Sequence, residues 1–217
     1  MKKYWAFGAI FLICLTFTGC FEGNNIYSLM SEQAKIYFSG EGEGVKANIA
    51  VGKRENPYIM DGVHNELVDF SLITVSVNSG MAEENLQISL SINGQVSNIL
   101  LELNPLNMSY MADLGYALNG DDTILVTVEE QSFELINIGE NFEVDCNQAI
   151  EIALNSIEDV SSFKKNGKFA CEGYLKILDG SKFGGEGLYW CFTLIGEDKT
   201  SSNILINTMD KNDVFKG

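Results

Sequence analysis

The sequence predicts a β-rich protein in two parts. Residues 35–140 read as an antiparallel β-sandwich, and residues 141–217 as a small α+β domain with one helix and a three-stranded antiparallel sheet. Three features lead there. From Lys35 to Ile138 apolar side chains recur at every second residue, the period that puts neighbours on opposite faces of a strand. Asn93-Gly94 stands between two such runs, and this pair supplies the positive φ angles of a tight hairpin turn. After Asp145 the apolar period changes to three and four, which is helical.

In the first part, Gly40-Glu41-Gly42-Glu43-Gly44 reads as an acidic turn. Val45, Ala47, Ile49 and Val51 then alternate with Lys46, Asn48 and Ala50, and Ile73, Val75 and Val77 with Thr74 and Ser76. Leu86, Ile88, Leu90 and Ile92 lead into Asn93-Gly94, and a return strand runs from Val96 to Leu103, where Asn104-Pro105 ends it. The stretch Ser109 to Leu114 is expected to hold one helical turn, with further strands at Ile124–Val128 and Glu134–Ile138. Short strands at this spacing, each with one apolar face, fit two packed sheets of the immunoglobulin-like kind.

In the second part, Cys146, Ala149, Ile150, Ala153, Leu154 and Ile157 form the helical stripe. Asp145 is placed as its N-cap, and Gln148, three residues on, completes a capping box. Strands follow at Phe169–Leu178, Leu188–Ile195 and Asn203–Asn207. The order and details resemble the PepSY domain family over roughly residues 143–217. The likeness lies in the helix Ala149-Ile150-Glu151-Ile152-Ala153-Leu154, the strand Tyr174-Leu175-Lys176-Ile177, the aromatic strand Tyr189-Trp190-Cys191-Phe192-Thr193-Leu194, and Ile204 to Asp210 with its acidic turn. It implies a binding or inhibitory module, not a catalyst; a generic α+β domain is the alternative. A simple hairpin register sets Cys191 opposite about Leu175 and Cys171 nearer Ile195. Cys146, Cys171 and Cys191 are therefore expected as separate thiols filling apolar space. A Cys171–Cys191 bridge through a shifted register is the alternative.

The first twenty residues carry a message of their own. Lys2 and Lys3 are followed by an apolar run from Tyr4 to Thr18 and a small-residue exit at Gly19-Cys20, the layout of a secretory signal. The run is shorter than the about 20 residues a spanning helix needs. Leu15-Thr16-Phe17-Thr18-Gly19-Cys20 resembles the lipobox of bacterial lipoproteins, with Phe17 where leucine is usual. The resemblance implies cleavage between Gly19 and Cys20 and a diacylglyceryl thioether on Cys20. Residues 1–19 are then a signal peptide and 20–34 a lipidated tether, and the protein sits on the extracytoplasmic face of the cell membrane.

Charge narrows the partners. The chain has 14 basic and 30 acidic residues, and the signal removes two lysines and no acid. No nucleic-acid partner is expected of so acidic a chain, and attachment to a membrane must come from lipid, not from charge. Asp61, His64, Glu66 and Asp69 cluster in sequence, but His64 is the sole histidine. A zinc site usually needs several His or Cys ligands, so the segment reads as a polar loop. No metal, cofactor or catalytic residue is expected. The function expected is a non-enzymatic, lipid-anchored module that binds an envelope protein or peptide, by strand addition at a sheet edge or in a groove beside the helix. A small-ligand or ion receptor lipoprotein is the alternative.

Overall fold

The computed structural model describes residues 25–78 and 83–216. Gly19, Cys20 and the signal segment lie outside the described residues. Asn25 caps a 3₁₀ turn at Ile26–Leu29, and β1 (Met30–Gly42) follows at once. The first strand thus begins within the stretch expected to be tether.

Seven further strands complete the first part: β2 (Val45–Glu55), β3 (Leu67–Val77), β4 (Asn85–Ile92), β5 (Gln95–Asn104), β6 (Ser109–Asp113), β7 (Ile124–Val128) and β8 (Gln131–Asn137). The Asn93-Gly94 turn between β4 and β5 has φ of 52° and 81°, as its residues require. Ser109–Leu114 is not helical: β6 pairs with β3 from Leu72↔Asp113 to Val75↔Tyr110.

These strands do not make two sheets. Their order is β1-β2-β3-β6-β5-β4-β7-β8, every pair is antiparallel, and β8 returns to β1 through Phe38↔Asn137 and Ser39↔Ile136. The result is a closed eight-stranded barrel in place of the expected immunoglobulin-like sandwich. Alternation cannot tell the two apart, because both bury one face of every strand. Closure depends on Gly40. A β-carbon there would stand 2.2 Å from the Glu134 carbonyl oxygen, so only glycine lets β8 come that near. Phe38, Ile49, Ile73, Leu90, Leu101 and Val126 are among the side chains that fill the interior.

The second part opens with α1 (Cys146–Ser156). The Asp145 carboxylate accepts from Asn147 N and Gln148 N, and the Gln148 side chain accepts from Asp145 N at 2.9 Å, so the capping box forms as expected. A two-residue hairpin, β9 (Lys164–Lys165) and β10 (Lys168–Phe169), leads to the sheet β11 (Cys171–Asp179), β12 (Leu188–Gly196), β13 (Ser201–Asn207) and β14 (Val214–Lys216). Ala149, Ile150 and Ala153 of α1 pack with Trp190, Phe192, Leu194 and Ile206 on one face of it. Trp190 Nε1 donates to the Val144 carbonyl at 2.7 Å. Cys191 lies opposite Lys176 and Cys171 opposite Gly196, close to the expected register. The three thiols are unpaired, and burial pushes that of Cys171 up to about 11.

One strand joins the two parts. A register shift between Ala34 and Ile36 divides β1. Its first half pairs in parallel with β11, up to Gln33↔Leu175, and its second half closes the barrel.

Candidate functional site

Where β11 leaves β1, a groove of about 1190 Å³ opens between them. Its floor is one face of the barrel wall: Lys46, Asn48 and Ala50 of β2 with Leu72, Thr74 and Ser76 of β3 line it at alternate positions. Its rim is different. Lys176, Ile177, Leu178 and Asp179 line it consecutively, so β11 presents its backbone edge there, not one side-chain face. The β1–β11 ladder ends at Leu175, while β11 stays paired with β12 as far as Asp179. Alternate N–H and C=O groups of residues 176–179 therefore point away from β12 with no strand beside them among the described residues.

The groove's charges are balanced. Lys46 pairs with Asp179 at 2.9 Å, Lys176 with Glu32 at 3.6 Å, and Arg54 with Asp113. Burial pushes the Asp179 carboxyl up, but the hydrogen bonds from Lys46 and Ser181 outweigh it and hold the group at about 2. Tyr58 stands between two of these cations, its ring centre 5.5 Å from Arg54 and 5.3 Å from Lys176.

Tyr58 belongs to residues 56–66, a strap without helix or strand between β2 and β3. Three buried carboxylates hold the strap: Glu32 of β1, Glu55 at the end of β2 and Glu172 of β11, exposed by 7%, 1% and 0%. Ile59 N donates to Glu55 Oε1 at 3.2 Å, Gly62 N to Glu172 Oε1 at 2.6 Å, and Asn65 N and Nδ2 to Glu55 Oε2 at 3.3 and 3.2 Å. Tyr58 Oη donates to Glu32. Tyr174 Oη, in the middle of the group, donates to Glu55 Oε1 at 3.1 Å. Burial, then the neighbouring Glu32 and Glu172 respectively, push the Tyr58 and Tyr174 phenols above their ordinary range, so both remain donors. Charge-assisted bonds of this kind satisfy buried carboxylates that would otherwise be costly.

His64 is part of this network. Its Nδ1 lies 3.2 Å from Ser31 Oγ, which donates to Glu172 Oε2 at 3.2 Å. With the serine proton committed to Glu172, the proton of the His64–Ser31 bond belongs to Nδ1. In a Ser-His-acid triad the histidine stands between serine and acid. Here the fully buried Ser31 stands in the middle, so it cannot meet a substrate. Asp61 and Asp69 are engaged elsewhere, Asp61 accepting from Val63 N at 3.0 Å and Asp69 pairing with Lys53 at 3.3 Å, and Glu66 accepts from Asn56 N through its backbone carbonyl at 3.0 Å. Among the described residues no group of three His, Cys, Asp or Glu is placed to hold a metal ion. Beside α1 lies a smaller hollow of about 420 Å³, lined in part by Glu143, Glu151 and Asp210.

Sequence reasoning places a polar loop at residues 61–69 but misses Glu32, Glu55 and Glu172. The sequence carries little signal of them: Glu55 lies on the odd-numbered face of Ala47, Ile49 and Val51, but Lys53 interrupts that face before it. In comparisons with known proteins, no family model, curated protein or solved structure matches the chain.

Proposed function

We propose that the protein is a lipid-anchored cell-envelope module, not an enzyme, whose groove takes an extended peptide segment of a partner protein by strand addition to β11. The observation that carries this reading is the edge of Lys176–Asp179, unpaired among the described residues and open to a groove of about 1190 Å³. Four residues of strand present about 13 Å of backbone. Main-chain bonds there would give affinity, and the floor would read alternate side chains. The groove exceeds the roughly 300–1,000 Å³ common for small-molecule sites, which favours a chain segment over the receptor reading. Among the described residues no helix is long and apolar enough to cross a membrane. Attachment in this reading comes from the lipid on Cys20, and the PepSY likeness of the second part agrees with a binding role.

The test is selection of short random peptides against the full chain, followed by amide hydrogen exchange. Selected peptides are expected to slow exchange at alternate amides of residues 176–179. They should also bind Ala50→Trp, which fills the floor, about tenfold or more weakly, a loss of about 1.4 kcal/mol. Peptides that bind equally well to Ala50→Trp, or leave those amides unchanged, would overturn the groove as the site.

A further inference from the structure

We infer that the strap carries a second membrane contact, with Ile59, Met60 and Val63 resting in the interface of the bilayer that holds the Cys20 lipid. The inference rests on the lipid-anchor part of the proposed function and goes beyond it.

The strap is built inside out. Loops in water ordinarily turn polar groups outward. Here the backbone N–H groups of Ile59, Gly62 and Asn65 point inward to buried carboxylates. The side chains of Ile59, Met60 and Val63 remain 48%, 45% and 56% exposed. Three large apolar groups within five residues of one loop form a local apolar tip, a feature that marks protein or membrane contacts. The tip is held in shape. Gly62 adopts φ of +90°, and a β-carbon there would lie 2.6 Å from the Gly196 carbonyl oxygen, so the loop is seated on the turn after β12. Lys199 of that turn donates to the Asp61 carbonyl, which places an ammonium beside the tip, as at the edge of an interfacial segment.

Placement selects lipid over another partner. The strap joins Glu55 to Leu67, at the end of the barrel where β1 begins, and Ser31 touches His64 within it. The chain outside the described residues leaves from Asn25, and five steps of backbone separate Asn25 from Cys20, a reach of at most about 18 Å. An anchored Cys20 therefore keeps the bilayer near this end, at a high effective concentration for any apolar group there. The contact needs no basic patch, in keeping with a chain of formal charge −16. The opposite end has its own exposed apolar residue: Leu106, 94% exposed, in the turn between β5 and β6. That end lies away from the strap and serves as the internal control.

The experiment uses the mature lipidated protein, beginning at Cys20, reconstituted in phosphatidylcholine vesicles with brominated acyl chains, which quench tryptophan at close range. Met60→Trp and Leu106→Trp are compared with wild type, in which cleavage before Cys20 removes Trp5 and the remaining Trp190 is buried. The expected result is strong quenching of the tryptophan at 60 and none at 106. No quenching at 60, or equal quenching at both, would overturn the inference. So would a blue-shifted but unquenched tryptophan at 60, the signature of cover by protein or a second copy. Uptake of labelled fatty acid, and its loss in Cys20→Ala, reports on the anchor separately. If label is absent, the anchor reading fails; if label is present and the tryptophan at 60 is unquenched, only the strap inference fails.

Discussion

The barrel and the second sheet are built from the same alternating strands, yet one is closed and the other open. Every barrel strand has a neighbour on each side. The second sheet has α1 on one face, ends at the three-residue β14, and loses β1 as a neighbour beyond Leu175. Closure spends every backbone edge on stability, whereas an open edge leaves hydrogen bonds available to a partner. The candidate groove lies where one regime passes into the other.

Two glycines break or sharpen that contrast. At Gly40 an added methyl meets the Glu134 carbonyl oxygen at 2.2 Å; at Gly173 it meets the Met30 sulfur at 2.6 Å. A backbone atom in a closed barrel has nowhere to go, while the end of a methionine can turn aside. Gly40→Ala is expected to cost about 3 kcal/mol, the upper part of the range for overpacking, and Gly173→Ala about 1 kcal/mol. Urea unfolding of the two variants measures the difference. Equal losses would mean that barrel closure is no stiffer than the β1–β11 seam.

An effect between those two is expected where Glu172 holds the strap. In Glu172→Gln one carboxylate oxygen becomes an N–H₂ donor facing either Gly62 N or Ser31 Oγ, both donors to Glu172. One charge-assisted bond is lost and the other weakened, a cost of about 2 kcal/mol. Amide exchange should quicken at Gly62 and Asn65 while Ile49, Ile73 and Leu90 inside the barrel keep their protection. If the barrel amides quicken in step with the strap, the two regions unfold as one unit and the comparison fails.

The sequence makes local features readable and long-range ones not. The Asp145–Gln148 box and the Asn93-Gly94 turn follow from residues within a few positions of each other, and both form. The barrel does not follow, because Gly40 and Glu134 are far apart in the chain and alternation is indifferent to which strand closes on which. The carboxylate group is hidden for the same reason. Glu32, Glu55 and Glu172 come from three strands, and Glu172 reads as one more residue of the run Cys171-Glu172-Gly173-Tyr174. The strap's apolar tip is visible in sequence as Tyr58-Ile59-Met60, but its exposure depends on the inward-facing backbone that those carboxylates hold.

The smallest expected effect crosses the groove itself, at the Lys46–Asp179 pair between barrel and open sheet. Asp179 has a folded pKa of about 2 against an ordinary 3.8. A carboxylate depressed in this way adds stability that is fully present above its unfolded value and is lost as pH falls through the folded one. Its side chain is 35% exposed and that of Lys46 40%, so water and salt screen the pair and its contribution stays below about 1 kcal/mol. Asp179→Asn keeps an acceptor for Ser181 N, bonded at 3.0 Å, and puts an N–H₂ group where an oxygen accepts from Lys46, so it removes the charge and that hydrogen bond together. The stability gap between wild type and Asp179→Asn should be constant near neutral pH and close between about pH 4 and pH 2. It should also shrink with added salt. A gap that persists below pH 2 would assign the effect to packing at the groove's rim, and the pair would then not be an electrostatic link between the two regions.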